Sequence, residues 1–382
     1  MKKTNQWKIP LFKINVTKSD ITSVTNVIKR GTDWACGPEI NNLEDELSKY
    51  VGSKYCLVFN SGTSAGHAVL HALNIKNKQV IVPSLSFIAT ANWPLMVGAK
   101  PQFCDIENET LGMDPSKLQQ KITKNTKVIM PIHYAGLPCK INEIKKIASD
   151  NHLPLIEDAA ESIGASIKNK KVGTFGEASI FSFAANKVLT SGEGGAVLTN
   201  SKSLFEKLKL IRSHGRSIKE NYFASIQNPN YVSLGYNWRM SSITAALALS
   251  QLCRLNILIK KRQKNAKYMI NKLKEFKDIT FHTTPKDYVH VYQLFTIILK
   301  NKKMRDELSN FLTKKGIMSK IFFVAIHKTK FYRSLKSNYS DLSTTEDICD
   351  RMLSLPMYPD LKETEIDLIH KSIGEFFSSR SN

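Results

Sequence analysis

Short apolar runs alternate with segments of helical spacing along most of the chain. Residues 55–59, 80–82, 101–104, 127–131, 154–158 and 178–183 are rich in Val, Ile, Leu and Phe and are bounded by turn residues, the mark of buried strands. Between them, 65–73, 84–98 and 141–150 have the spacing of helices. Ahead of the first strand lie two further helices, 19–30 and 39–50, the second with Leu43 and Leu47 on one face. A turn at 34–38 separates them. Strands that alternate with helices in this way predict an α/β domain around a mostly parallel sheet. A strand at 196–198, a helix at 201–214 and an irregular loop at 215–233 follow. The Ala- and Leu-rich helix 241–255 continues through a lysine-rich stretch to residue 276 and bridges to a second unit. Beyond residue 279 the pattern changes. Strands are predicted at 292–299 and 321–324, helices at 304–315 and 362–377, with a short apolar segment at 353–356. The division expected is a large α/β domain over 1–250 and a smaller α+β domain over 251–382.

In a parallel sheet, ligands gather at the carboxyl ends of the strands. The turn at 61–64, His133, Asp158 and Lys187 all fall at such ends. The sequence Asn60-Ser-Gly-Thr-Ser64 stands between a strand and a helix, where free backbone N–H groups at a helix N-terminus bind phosphate. No P-loop lysine follows it and no G-x-G-x-x-G occurs, which argues against nucleotide hydrolysis and dinucleotide binding. Lys187 sits between the apolar run 178–183 and the glycines Gly192, Gly194 and Gly195. Apolar surroundings there would favour the neutral amine, the form that attacks an aldehyde. A phosphate-ready turn, a buried acid and a lysine form the set that pyridoxal phosphate requires. Its phosphate needs N–H donors, its ring nitrogen a carboxylate and its aldehyde a lysine.

Composition alters this picture little. The chain is 42% hydrophobic and 23% charged, as an ordinary globular protein is. No apolar run approaches the roughly 20 residues of a membrane helix, and no apolar segment follows the opening lysines, so a cytoplasmic enzyme without a cleaved leader is expected. The six cysteines are scattered without metal-ligand spacing, so free thiols and no metal are expected. The net charge of +22 comes from lysines spread over the whole length rather than from a basic arm. It reads first as a lysine-rich bias on solvated faces, next as a focused anion site and least as a nucleic-acid surface.

Longer segments carry a family likeness. They include NSGTSAGHAVLHAL from Asn60, VIVPSLSFIATANWPLMVGAKPQFCDI from Val80, PIHYAGLPCKINEI from Pro131 and IEDAAESIGA from Ile156. VGTFGEASIFSFAANKVLTSGEGGAVLTN from Val172, GYNWRMSSITAALALSQL from Gly235, AIHKTKFYR from Ala325 and SLPMYP from Ser354 follow in order. Together they resemble the DegT/DnrJ/EryC1/StrS family of pyridoxal-phosphate nucleotide-sugar aminotransferases over residues 30–360. The resemblance implies the fold-type I, aspartate-aminotransferase-like architecture. It implies a homodimer with shared active sites, and transfer of an amino group from L-glutamate through pyridoxamine phosphate to a nucleotide-diphosphate keto sugar.

It also implies roles. Lys187 would form the Schiff base and move protons, and Asp158 would hold the pyridinium. Thr63 and Ser64 would give phosphate N–H contacts, Ser182 its hydroxyl, and Phe87 would stack on the ring. Asn237 would reach the neighbouring subunit's cofactor phosphate. Arg239 would serve a substrate carboxylate, and His327, beside Lys328, the nucleotide end. Glu161 stands where many members have Gln or His near the cofactor's phenolic oxygen. Members that aminate carbon 4 of 4-keto-6-deoxy sugars resemble this chain in Glu161, in Asn186-Lys187 and in Thr190-Ser-Gly-Glu-Gly-Gly195. That points to a perosamine-synthase-like branch. Amination at carbon 3 is the alternative within the family. The family's pyridoxamine-dependent dehydratases replace the lysine with histidine, so Lys187 argues against that reaction.

Overall fold

Turn chemistry and apolar runs set the local elements. In the computed structural model, which describes residues 7–217, 226, 228, 230–335 and 339–381, the strands in chain order are β1 (Tyr55–Phe59), β2 (Gln79–Pro83), β3 (Lys100–Cys104), β4 (Thr126–Ile129) and β5 (Ile156–Asp158). They continue with β6 (Ser166–Ile167), β7 (Lys170–Lys171), β8 (Ala178–Ser182), β9 (Gly195–Thr199), β10 (Ile279–Thr280), β11 (Tyr288–Val289), β12 (Phe295–Leu299) and β13 (Met352–Leu355). The helices are α1 (Lys18–Arg30), α2 (Pro38–Val51), α3 (Gly62–Ala72), α4 (Ile88–Met96), α5 (Pro115–Lys121), α6 (Ile141–Asp150) and α7 (Lys202–Arg212). Then come α8 (Ser242–Cys253), α9 (Leu255–Leu273), α10 (Lys302–Lys314), α11 (Lys330–Ser334), α12 (Ser343–Arg351) and α13 (Glu363–Ser381). Of the loop expected at 215–233, residues 218–225, 227 and 229 lie outside the described residues.

The main sheet runs β3-β2-β4 and β5-β8-β9-β1, joined by parallel bridges from Ile129 to Leu155 and from Ile132 to Asp158. All its pairings are parallel except those of β9, which runs against β8 and β1. The segment from 183 to 194 returns the chain as a hairpin instead of through a crossover helix, so β9 must reverse. This places the start of β9 beside the carboxyl ends of β1 and β8. Apolar side chains from both faces complete the core. Val69, Leu70, Trp93 and Leu208 cover one side, and Leu43, Leu47, Phe183 and Leu252 the other. The result is the mixed, mostly parallel sheet covered by helices that the sequence predicts.

A separate antiparallel sheet, β10-β12-β13, packs against α9, α10 and α13 around Met269, Ile297, Leu308 and Ile369. Three expectations fail here. Residues 321–324 are not a strand. After Lys320 bridges Ser354 the segment leaves the sheet, and the Tyr134 hydroxyl donates to the Phe322 carbonyl instead. Tyr292 has a left-handed backbone, φ 50°, so β12 starts only at Phe295. The long helix through 276 breaks at Arg254, where α8 and α9 meet at 61°. No single helix among the described residues is long and apolar enough to cross a membrane.

Asp105, 2% exposed at the end of β3, ties the C-terminal unit to the main sheet. Its carboxylate accepts the backbone N–H groups of Thr344 at 3.0 Å and Thr345 at 2.8 Å, and the Thr345 hydroxyl at 2.7 Å. It thus caps α12 from a distant part of the chain, satisfying amides that the helix itself cannot. Asp105→Ala leaves these donors buried and is expected to destabilise the protein by about 2–4 kcal/mol, read as a lower denaturant midpoint. An unchanged midpoint would show that the tie carries no stability.

Candidate active site

The carboxyl ends of β1, β5 and β8 meet the start of β9 around one cavity of ≈ 330 Å³. Its floor is the N-terminus of α3. Ser61 caps that helix, its Oγ accepting the Ser64 N–H at 3.0 Å. The Ser64 hydroxyl is also engaged, donating to Asn60 Oδ1 at 2.6 Å. The amides of Gly62 and Thr63, which have no intrahelical acceptor, are the ones left at the cavity. Ser64 itself does not line it. Close backbone contact builds this corner. A Cβ on Gly195 would stand 2.5 Å from the Gly62 nitrogen, and one on Gly62 would stand 3.0 Å from Ser182 Cβ. Only glycine lets β9, α3 and β8 come this near.

Asp158 ends β5 and is 2% exposed. Thr90 Oγ1 donates to its Oδ2 at 2.6 Å and the Ala160 N–H to its Oδ1 at 3.2 Å. Burial pushes its carboxyl above the usual range, and the Thr90 hydrogen bond and Lys187 only partly offset this. Thr90 is in turn paired with Ser86 at 2.6 Å. Thr90 went unnoticed in the sequence. The signal was present, because Phe87, Thr90 and Trp93 fall at helical spacing and all three line the cavity.

Lys187 lies in a turn in which its own N–H donates to Ala184 O at 3.0 Å. Its surroundings differ from the apolar setting expected. The ammonium faces Glu161, with Nζ 3.4 Å from Oε1, and the two side chains are 12% and 2% exposed. The other oxygen, Oε2, accepts the Ala135 N–H at 2.9 Å. Glu161 is therefore both paired and hydrogen-bonded, as a buried carboxylate must be.

Ser182 and Phe87 complete the set on this cavity, and Asn186 and Glu193 also line it. Phe87 is 54% exposed and leans on Phe323 at 5.8 Å between ring centroids. Phe322 and Phe323, from the segment expected to be a strand, close the opposite wall.

Four sequence candidates lie elsewhere. His133 turns away from the cavity and bonds Glu157 at 3.1 Å. The Cys139 N–H donates to its Nδ1 at 3.2 Å, so Nε2 carries the proton toward Glu157. Burial alone would push the Glu157 carboxyl up, but hydrogen bonds from His133 and from the amides of Gly173 and Gly176 hold it below its ordinary value. His327, expected at the nucleotide end, does not line this cavity. Its Nδ1 meets Ser84 Oγ at 2.7 Å and its Nε2 meets Glu346 Oε1 at 2.9 Å, which engages both ring nitrogens. Asn237 is exposed, and its carbonyl accepts from Asn60 at 3.4 Å. Arg239 donates to Ser213 Oγ at 3.1 Å and lines a second cavity of ≈ 310 Å³ with His214 and Tyr231.

The donor set fits pyridoxal phosphate. The Gly62–Thr63 corner offers free helix-terminal amides to a phosphate, and its close approach to β9 leaves no room for a Cβ at Gly195. Asp158 is a buried carboxylate with no ion-pair partner among the described residues, and Lys187 shares the same cavity. Comparison with known proteins agrees. The model of the DegT/DnrJ/EryC1/StrS aminotransferase family matches residues 15–374. A GDP-perosamine synthase of Escherichia coli O157:H7 is 34% identical over 97% of this chain and 99% of its own, and one of Vibrio cholerae is 31% identical over the same shares. Among solved structures, Helicobacter pylori PseC, described as an aminotransferase involved in the biosynthesis of pseudoaminic acid, superposes with a TM-score of 0.90. It is 31% identical and the match covers 97% of this chain and 99% of that one. By its cavity, its sheet and its near full-length match, the chain belongs to the DegT/DnrJ/EryC1/StrS aminotransferase family.

Proposed function

We propose that this aminotransferase moves an amino group from glutamate to a nucleotide-linked 4-keto-6-deoxy sugar, using pyridoxal phosphate held at the carboxyl edge of the main sheet. The observation that carries the reading is the buried Asp158 sharing one cavity with the Lys187–Glu161 pair. Support for the substrate class comes from the two GDP-perosamine synthases, which match almost end to end. The Asn186-Lys187 pair and the Thr190–Gly195 loop, with Glu193 on the cavity wall, support the same branch. A net charge of +22 suits a substrate that carries a diphosphate.

When bound, the cofactor supplies an aldehyde that captures amines and a ring that takes up electrons. The protein's own groups do the rest. The Gly62 and Thr63 amides and the Ser182 hydroxyl hold the phosphate. The Asp158 carboxylate keeps a proton on the ring nitrogen, and Thr90 orients that carboxylate. Phe87 covers one ring face. Lys187 Nζ carries protons between carbon and nitrogen in both halves of the exchange. Glu161 receives the Lys187 ammonium whenever that nitrogen is free, which spares the cavity an unpaired charge. The Phe322–Phe323 wall excludes water. In a homodimer, Asn237 and the Arg239 cavity would face the partner's site, with Asn237 on the phosphate and Arg239 on the donor carboxylate.

The test begins with the cofactor-loaded protein. Glutamate should bleach its visible absorbance band, and one nucleotide keto sugar from a panel should restore it with an amino sugar as product. Product analysis then assigns the carbon that was aminated. A band untouched by glutamate would overturn the donor. Lys187→Ala should lower turnover by about 10⁴-fold or more, and retained turnover would refute the mechanism.

Asp158 makes a second prediction. Its carboxyl is raised in the folded, cofactor-free protein, so its contribution favours folding below the unfolded carboxylate value and is lost as pH rises through the higher folded value. Asp158→Asn should therefore raise the melting temperature of the cofactor-free protein at neutral pH while lowering kcat by about 10²–10³-fold. A variant that loses stability at neutral pH would contradict this account of the buried charge.

A further inference from the structure

The C-terminal unit reaches the reactive lysine through one buried amide. Gln293 is 3% exposed, and its Nε2 donates to the carbonyl of Asn186 at 2.7 Å. That carbonyl belongs to the peptide leading into Lys187. The opposite orientation of the amide would set oxygen against oxygen, so the acceptor fixes which way Gln293 points. Gln293 Oε1 is left buried without a partner among the described residues.

The loop that holds Lys187 is closed at its base by Ser191 N–H to Phe183 O at 3.0 Å and Phe183 N–H to Gly194 O at 2.8 Å, and turned at Lys187 by its N–H to Ala184 O at 3.0 Å. Gln293 grips it near the tip. The segment around Gln293 is itself anchored on two sides. Behind it, the buried Arg262 of α9 donates to the carbonyls of Tyr292 and Met357, both at 3.1 Å. In front, the Leu294 N–H donates to Ala135 O at 3.2 Å and the Val291 N–H to Gly136 O at 3.0 Å. Ala135 is the residue whose own N–H holds Glu161. One segment of the C-terminal unit thus touches both halves of the 3.4 Å pair, Lys187 through Asn186 and Glu161 through Ala135.

We propose that Gln293 is a positioning residue that sets Lys187 against Glu161, so that the placement of the C-terminal unit controls the register of the reactive amine. The inference rests on Lys187 being the reactive lysine of the proposed transamination. Gln293 touches neither the cavity nor the substrate and acts through the Asn186 peptide.

Gln293→Met keeps the length of the side chain and removes the donor. In this variant Lys187 should leave Glu161 more often. Its acylation by acetic anhydride in the cofactor-free protein, followed by peptide mass spectrometry, should rise about fivefold, the population shift that loss of one hydrogen bond produces. Lys171, remote from the loop, serves as the control and should not change. In the loaded enzyme kcat should fall about tenfold, with the KM for glutamate within about twofold, because orientation and not binding is lost. Gln293→Glu adds a pH signature. Its neutral form can donate to Asn186 O and its ionised form cannot, so kcat should recover as pH falls.

Lys187 acylation and kcat both within about twofold of the parent would overturn the proposal. So would acylation that rises equally at Lys187 and Lys171, since that reports general loosening. The acylation readout needs no substrate. If the parent enzyme fails to aminate any keto sugar, the substrate reading falls while the positioning of Lys187 is still decided.

Discussion

A carboxylate that no cation among the described residues neutralises by contact sits at the end of a central strand, and the rest of the site depends on it. Asp158 is held by a hydroxyl and one backbone amide, and burial keeps its proton affinity high. In a low-dielectric position this arrangement opposes folding in the cofactor-free state. In the proposed reading a protonated ring nitrogen facing Asp158 would reverse that cost and link cofactor affinity to stability.

The neighbouring pair solves a different problem. An unpaired ammonium in a largely buried cavity is costly. Glu161 supplies a resting partner, and the Ala135 amide keeps that carboxylate in place. The expectation of apolar surroundings for Lys187 missed this, because it considered the flanking sequence and not the turn after β5 that carries Glu161. The same contact explains why a carboxylate is tolerated at 161 close to Asp158: the two acids are served by different donors.

Geometry around the cavity comes from close packing as much as from polar chemistry. The reversal of β9 brings Gly195 onto Gly62 and makes the corner where helix amides face the ligand space. The segment after Lys320, outside the C-terminal sheet, adds Phe322 and Phe323 to the wall, and Gln293, just ahead of β12, reaches the lysine loop. Strands, helix terminus and C-terminal segment each contribute a part that has no chemistry in isolation.

Much of this was legible in the order of residues. Apolar periodicity located the strands of the main sheet and most of its helices, because burial on a regular element leaves a local signature. Strand ends then singled out the 61–64 turn, Asp158 and Lys187, since topology sends ligands there. Contacts between residues far apart in the chain left no such trace. Thr90 on Asp158, Glu161 on Lys187 and Gln293 on Asn186 are side-chain choices that acquire meaning only once distant segments meet. For the same reason His133 and His327 looked like site residues. Each stands next to the right elements, but packing turned each ring toward a buried glutamate or serine, where hydrogen bonds engage both its nitrogens. Periodicity reports which face of an element is buried. Which polar groups meet across the gap is decided by the packing of whole elements.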